Sequence, residues 1–252
     1  MIAVLSDIHA NLEALSAVYK DLTQRGIKRV FFLGDIVGYG PNPAEVLDFI
    51  QHFEFSLLGN HDEACVKGPP KNFNAAAANA VWWTRRRVCP EEMAGAFIRP
   101  GEYQKRKELW EYLQKLQPVR TLGEMLFVHD NPADPGSWRY VLNRQDADAC
   151  FKTHPHIRAF FFGHSHVPGV WHENSSYAAE PGKRYDFKRR VMVNVGSVGQ
   201  PRDKDPRACY VILEPDCFRF CRVPYDVRKT QAKIRGCQEL DQVLADRLAE
   251  GR

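Results

Sequence analysis

The residue pattern predicts an α/β protein whose sheet strands are covered by helices, and three observations carry that prediction. The first sixty residues alternate short apolar runs with stretches of helical periodicity, the chain after Pro118 is rich in strand-like runs, and the sharpest polar clusters fall at the ends of those runs. At 252 residues the chain is long enough to bury a substantial core as one domain.

Ile2 to Ser6 is an apolar run that ends at polar residues, and Leu12, Leu15, Val18, Tyr19 and Leu22 follow at helical spacing, so a strand leads into a helix. Val30 to Leu33 repeats the pattern, with Pro43 to Gln51 as its helix, and Phe55 to Leu58 is a third strand that stops at Gly59. The Ala-rich stretch Phe73 to Val88 and the charged, amphipathic stretch Tyr103 to Leu116 predict two further helices. Residues 68–117 therefore read as a helical insertion, within a single domain spanning 1–252, that overhangs a site. After Pro118 the pattern predicts strands at Val119 to Leu122, Met125 to Val128, Ala159 to Phe162, Val170 to Glu173, Val191 to Val195, Cys209 to Leu213 and Phe218 to Val223, enough for a second sheet. Ile234, Cys237, Leu240, Val243, Leu244 and Leu248 share one face and predict a closing helix that continues through Gly236.

Composition narrows the function. Hydrophobic residues make up 44% and charged residues 26%, ordinary for a globular protein, and 35 Lys and Arg against 31 Asp and Glu give a net charge of +4. That balance is too slight for nucleic-acid binding by bulk electrostatics, so no stable nucleic-acid partner is expected. No run approaches the length of a membrane span, and Met1 to Leu5 lacks the features of a secretory signal. Seven cysteines without a C-x-x-C pair fit reduced, buried thiols, and the expected location is cytoplasmic.

The chemistry concentrates at strand ends, where loops converge on one rim of a sheet. Asp7 and His9 follow the first strand, Gly34-Asp35 the second, and Gly59-Asn60-His61-Asp62 the third. His129 follows Leu126 to Val128, and Gly163-His164-Ser165-His166 follows Ala159 to Phe162. Imidazoles, carboxylates and an amide in such number point to metal coordination. In an extended segment, Asp7 and His9 project to one side and so do His164 and His166, so that each pair clamps one ion region. Asp35, with two oxygens, can bridge two cations, whereas one imidazole cannot. The absence of thiolates favours Mn, Fe, Zn, Co or Ni over Ca or a structural zinc, with Mn preferred.

These blocks, D-x-H, G-D, G-N-H-D, H and G-H-S-H, in that order over most of the chain, resemble the calcineurin-like metallophosphoesterase superfamily, and most of all its small bacterial and archaeal phosphodiesterase-type members. The segments G-D-I-V-G-Y-G-P-N-P at 34–43 and G-S-V-G-Q-P-R-D at 196–203 are similar to motifs of that branch. The resemblance implies a four-layer α/β/β/α sandwich of two mixed sheets with a dinuclear metal site at the strand ends. It implies that Asp7, His9, Asp35 and His166 hold one divalent ion, that Asp35 bridges, and that Asn60, His129 and His164 hold the second. A bridging hydroxide would attack in line on a phosphodiester or nucleotide phosphoanhydride, with His61 serving the leaving-group oxygen as proton donor or charge stabiliser.

The sequence also departs from the family. The phosphoprotein-phosphatase branch carries an aspartate three residues after the bridging one, followed by an arginine, and here Gly38 and Tyr39 stand there, which leaves His61 without that orienting carboxylate. Asp130 and Ala10 replace glycines common in relatives, and Asp130 adds negative charge near the site.

Plainer readings accompany each residue. Asp7 and Asp35 serve equally well as helix caps, Asn60-His61 as a turn, and Asp62 as local support. Tyr39, Asn42, Arg139, Gly196, Ser197 and Arg202 are candidate substrate contacts, though 196–199 also suits a tight structural turn. His154 and His156 flank Pro155 at the far edge of a sheet. Trp82-Trp83 and Arg85 to Arg87 suit a helix with one packed face as well as a substrate lid. The expected partner is a phosphorylated small molecule or nucleotide. A phosphomonoesterase acting on phosphoprotein, or a non-catalytic interaction protein, is the competing function. No G-x-G-x-x-G follows a strand and no G-x-x-x-x-G-K-[ST] loop is present.

Overall fold

A computed structural model describes residues 1–93, 99–173 and 175–252. Along the chain run β1 (Ile2–Leu5), α1 (Leu12–Gln24), β2 (Arg29–Phe32), α2 (Pro43–Ile50), β3 (Phe55–Ser56), α3 (Asn60–Lys67), α4 (Ala75–Val88) and α5 (Pro100–Lys115). Then come β4 (Val119–Leu122), β5 (Met125–Val128), α6 (Arg144–Thr153), β6 (Ala159–Phe162), β7 (Gly169–His172), β8 (Ser175–Ala178), β9 (Arg184–Asp186), β10 (Val191–Asn194), β11 (Ala208–Leu213), β12 (Cys217–Val223), α7 (Val227–Arg235) and α8 (Val243–Glu250).

The strands form two mixed six-stranded sheets, in the orders β3-β2-β1-β11-β12-β9 and β4-β5-β6-β10-β7-β8. In the first, β1 runs parallel to β2 and antiparallel to β11; in the second, β6 lies parallel to both β5 and β10. Strand alternation shows why this makes layers. Ala3 and Leu5 of β1, with Val30 and Phe32 of β2, face a core shared with α1, α2 and α5, while Val4 and Phe31 face the opposite core. That second core lies between the sheets, where Phe127 stacks on Phe161 at 5.2 Å and meets Phe31 edge-on at the same distance. Ala147, Cys150 and Phe151 of α6 cover the outer face of the second sheet at Phe160, Phe162 and Met192. Helix, sheet, sheet, helix is the α/β/β/α sandwich that the sequence pattern and the resemblance imply.

Three elements differ from expectation. β3 is only two residues long, because Leu57 forms an isolated bridge to Gln117 instead of extending the ladder to Leu58. Asn60-His61 is not a turn but the first turn of α3. The closing helix is two helices: α7 stops at Gly236, and the chain folds back so that Leu240, Leu244 and Leu248 of the following segment join Ile234 in one cluster. A mid-helix glycine costs about 1 kcal/mol relative to alanine, and breaking there lets both helices bury an apolar face. The helices α6 and the strands β8 and β9 were not anticipated.

Of the proposed 68–117 insertion, α5 packs into the first core through Leu109, Trp110 and Leu113. Only the approach to α4, from Pro70 to Ala77, borders the site described below. Residues 94–98 of it lie outside the described part. Trp83 is buried and Trp82 exposed, as in a helix with one packed face. The seven cysteines are unpaired, six of them buried. Among the described residues, no helix is long and apolar enough to cross a membrane.

Candidate metal centre

At one end of the two sheets the loops after β1, β2, β5 and β6 meet the N-terminus of α3. One ligand atom from each of Asp7, His9, Asp35 and His166 lies within 4.8 Å of the others, and the same holds for Asp35, His129 and His164. All six residues are buried. Asp35 belongs to both groups: its Oδ2 is 3.4 Å from His9 Nε2 and 3.4 Å from His129 Nε2. Asn60 Oδ1 lies 3.2 Å from His129 Nε2, so the amide joins the second group.

Convergence does not arise from extended segments. Asp7 and His9 adopt φ of 55° and 48°, Asp35 59°, and His164 and His166 66° and 61°, all in the left-handed region that L-residues with side chains rarely adopt. The same-side geometry expected of a D-x-H strand is replaced by tight left-handed turns held from outside. Asp7, His9 and Ala10 donate their N–H groups to Gly34 O, Asp35 O and Ile36 O at 3.0, 2.9 and 2.8 Å, which ties the first loop to the second. Val198 and Gly199 donate to Ser6 O and Asp7 O, and a Cβ on Gly199 would fall 1.7 Å from Ile8 O, so this approach requires glycine.

The hydrogen bonds fix which ring nitrogen faces inward. Nδ1 of His9, His129 and His166 lies 2.9, 3.0 and 2.6 Å from the carbonyl oxygens of Val37, Leu33 and Gln200. A carbonyl only accepts, so each Nδ1 carries the donated proton and each Nε2 points at the cluster. His164 is reversed: Nε2 donates to Trp138 O at 3.0 Å, leaving Nδ1.

This arrangement fits divalent cations. The Nε2 atoms of His9 and His166 face each other at 3.2 Å, and the buried Asp7 Oδ1, 3.2 Å from His166 Nε2, has no hydrogen-bond partner. Lone pairs brought so close are stabilised by a positive charge among them. Burial holds the proton affinities of His9 and His166 below the usual range and pushes His164 down to about 3, so these rings are neutral ligands. At His129, burial is outweighed by the charges of Asp35, Asp7 and Asp130, which push its pKa up to about 10. That corner of the cluster calls for a cation. With imidazole, carboxylate and amide donors and no thiolate, the set suits first-row divalent metals.

His61 stands beside the cluster and outside both groups. Its N–H donates to Asp35 Oδ1 at 2.8 Å, and its ring lies 4.8 Å from that of His9 and 4.4 Å from that of Tyr39. Its Nδ1 is buried without a partner, and a Cβ at Gly38 would come within 2.5 Å of it. Glycine at 38 thus gives the ring room, and Tyr39 flanks it where the phosphatase branch has arginine.

Among the candidate substrate contacts, Tyr39 packs on the rings of His9 and His61 at 4.6 and 4.4 Å, and Arg202 stands behind it. Its Nη2 donates to Gln200 Oε1 at 2.9 Å and weakly to Tyr39 OH at 3.4 Å, and its Nε is buried without a partner. Gly196 and Ser197 serve the backbone instead: Ser197 Oγ donates to Asp7 O and accepts from Gln200 N, both at 2.8 Å, which spends the hydroxyl. Arg139 is exposed and pairs with Asp134 at 3.1 Å, so it does not reach the cluster. Asn42 Nδ2 is engaged by Glu45 and its Oδ1 by Lys233. His154 caps α6 and bonds Pro132 O, away from the cluster.

Of the residues that support the cluster, sequence reasoning singled out Asp62, as local support, and Asp130, as added negative charge, but not Arg247. Asp62 is a hub: Oδ2 accepts from Asp35 N and Gly59 N at 2.9 and 3.0 Å, and Oδ1 from Ile36 N and Val37 N at 2.9 and 3.2 Å. Asp130 turns its carboxylate to Gly136 N and Trp138 N, which staples the loop that orients His164. Arg247 of α8 reaches the Tyr39 ring at 5.7 Å, close to the 5.9 Å of Arg202, while Arg247 Nε donates to Arg252 O at 2.6 Å. The signal for Asp62 was present in G-N-H-D, where it stands at the third helical position. For Arg247 there was none.

Comparison with known proteins places this geometry in context. The sequence model of the calcineurin-like phosphoesterase superfamily domain matches residues 1–216. An uncharacterized protein of Methanocaldococcus jannaschii is 36% identical over 258 residues, covering 100% of this chain and 98% of its own. A metallophosphoesterase from Sphaerobacter thermophilus superposes with a TM-score of 0.83 at 34% identity, covering 100% of this chain and 98% of that one. A hypothetical protein from Pyrococcus horikoshii shares the fold at a TM-score of 0.75 and 19% identity, with 100% and 99% coverage.

Proposed function

The chain belongs to the calcineurin-like phosphoesterase superfamily and is a metal-dependent phosphoesterase, and from that premise we propose that it cleaves phosphodiester or nucleotide phosphoanhydride bonds with two divalent cations. Asp7, His9, Asp35 and His166 would hold one ion, and Asp35, Asn60, His129 and His164 the other. The observation that carries this reading is the position of Asp35 Oδ2, equally far, at 3.4 Å, from a histidine of each group. Mn²⁺ is the metal we favour among those the donors suit.

When bound, such a pair activates water and neutralises charge on the reacting phosphoryl group. The protein's own part is placement. His9, His129, His164 and His166 are each fixed by a backbone carbonyl on the far nitrogen, so the ligand atoms need no reorganisation. Arg202, with an unpartnered Nε, is suited to a non-bridging phosphate oxygen. His61, anchored through its N–H to Asp35, would donate to the leaving-group oxygen. A cavity in front of the cluster leaves room for a sizeable ester group on phosphorus.

The test is hydrolysis of bis-p-nitrophenyl phosphate by protein loaded with Mn²⁺. His61→Ala should lower kcat by ~10²-fold or more, in line with loss of a positioned proton donor. An unchanged rate would remove His61 from the mechanism, and inactivity with Mn, Fe, Zn, Co and Ni alike would refute the diesterase reading.

A further inference from the structure

The cavity in front of the cluster has a volume of about 400 Å³, within the range of small-molecule sites. Four of its walls are aromatic and the rest mostly polar. Phe73 lies against His61, ring centroids 4.9 Å apart, and Tyr140 stacks on His164 at 4.2 Å with planes 13° apart. Trp138 and Tyr39 add two more aromatic surfaces. Tyr140 is 43% exposed as a residue, with one face of its ring against His164. Ser137 also lines the cavity, and its Oγ is buried without a hydrogen-bond partner. Asn72 and Asn74 stand at the same wall.

Among the described residues, none lining this cavity is Lys, Arg, Asp or Glu; Arg202 and Arg247 lie against the Tyr39 ring, at 5.9 and 5.7 Å, and are not part of its lining. A charged group placed against the Phe73 and Tyr140 faces would meet no charged lining residue, and burying charge without a partner is costly. A flat, uncharged ring would meet aromatic faces that accept any planar π-system, plus a hydroxyl and amides for its polar edge. The walls are also built in advance. Asp130 holds the N–H of Trp138, Trp138 Nε1 donates to Glu63 Oε2 at 2.7 Å, and Trp138 O orients His164.

We infer that this cavity seats an uncharged planar ring, such as a nucleobase or aryl group, carried by a substrate with a single phosphate at the metal cluster, and that Phe73 and Tyr140 select for it. The inference rests on the cluster being the place of the phosphate, and it narrows the substrate class to nucleoside or aryl phosphoesters rather than polyphosphates.

The test compares AMP with ribose 5-phosphate, which keeps phosphate and sugar but lacks the ring, by isothermal calorimetry on the Mn²⁺-loaded protein. AMP should bind at least tenfold more tightly, a difference of about 1.4 kcal/mol. Phe73→Leu and Tyr140→Leu should each reduce the preference below threefold while moving ribose 5-phosphate less than twofold, and Tyr140→Phe should retain it. Equal constants for the two ligands, a preference untouched in both leucine variants, or failure of AMP to bind would overturn the inference. A protein that prefers AMP yet never hydrolyses bis-p-nitrophenyl phosphate upholds the cavity and sinks the hydrolytic reading. One that hydrolyses the diester but ignores the ring does the reverse.

Discussion

Replacing Asp62 by asparagine should cost more stability than any other isosteric change in this protein, although Asp62 is assigned no ligand role. Four backbone N–H groups, from Asp35, Ile36, Val37 and Gly59, converge on its two oxygens at 2.9 to 3.2 Å, and the side chain is fully buried. Burial and the charge of Asp35 push the pKa of Asp62 up to about 7 against the pull of the backbone donors, so the assay is run at pH 8, where the carboxylate that accepts from all four prevails. Whichever way an asparagine amide is turned, its NH₂ faces two of the donors and leaves both unsatisfied. A buried donor without a partner costs about 1–3 kcal/mol, so the pair should cost about 3–5 kcal/mol. That is a large part of the 5–15 kcal/mol typical of a whole domain. The assay is urea unfolding of the metal-free protein followed by circular dichroism, with Glu54→Gln as comparison. Glu54 bonds Arg29 at 2.7 and 2.8 Å but on the surface, where such a pair is worth at most about 1 kcal/mol. Because Asp62 also holds Asp35 N, metal affinity should fall ~10-fold or more. A loss below ~1 kcal/mol for Asp62→Asn, or equal losses for the two variants, would refute the reasoning.

Ala10 adopts φ of 52°, where glycine is unstrained, so Ala10→Gly should stabilise the fold by roughly 0.5–1 kcal/mol after the entropy glycine adds to the unfolded chain, read from the urea midpoint; a loss would show that the buried methyl matters more than the backbone. Asp35→Asn should lower the bound-metal content of both positions, whereas His164→Ala should spare one, as elemental analysis after gel filtration would report; equal stoichiometry in the two variants would argue against a shared ligand. Gly38→Ala puts a Cβ 2.5 Å from His61 Nδ1 at a φ of 85°, and should cost about 1–2 kcal/mol and lower diester hydrolysis at least tenfold by displacing that ring; full activity would show that His61 needs no fixed position.

Much of this was legible because the ligands are anchored to strands. Ala3 to Leu5, Val30 to Phe32 and Ala159 to Phe162 are apolar runs buried on both faces, and such runs announce both themselves and the polar residue that ends them. The strands β8 and β9 left no comparable signal. Ser175 to Ala178 is almost wholly exposed and so lacks the alternation of a half-buried strand, while Arg184 to Asp186, with Tyr185 buried between two exposed charges, alternates over too few residues to be told from a loop. Helix α6 was hidden for a related reason: it is a polar helix that touches the sheet through Ala147, Cys150 and Phe151 alone. Its start, Asn143 with Asp146 three residues on, is a capping box that could have been found. The break at Gly236 was misread because Ile234, Leu240, Leu244 and Leu248 do meet in one cluster, a fact periodicity cannot assign to one helix or two. At the site, residue types pointed to the side chains that the fold brings together, but what holds them is long-range: Asp62 acts on the loop after β2, and Arg247 reaches Tyr39 from the far end of the chain.

The backbone conformations bear on why such a cluster is stable at all. Asp7, His9, Asp35, His164 and His166 all have positive φ, as do their neighbours Ala10, Tyr39 and Trp138, and each such residue costs on the order of 1 kcal/mol. Lone pairs of buried imidazoles and carboxylates add repulsion where they meet, as between His9 and His166. Against this the protein sets a lattice of backbone hydrogen bonds between loops, from Asp7, His9 and Ala10 to the segment 34–36 and from Val198 and Gly199 to Ser6 and Asp7, with Asp62 tying down the second loop. The lattice fixes the geometry but leaves the repulsion in place, because every one of those bonds points away from the ligand atoms. Cations relieve what the lattice cannot, and whatever binding free energy they contribute is added to the folded state alone. The strain is thus concentrated where metal binding can offset it, and among these residues glycine would remove it only at Ala10 without deleting a proposed ligand or a ring, Tyr39 or Trp138, that lines the cavity.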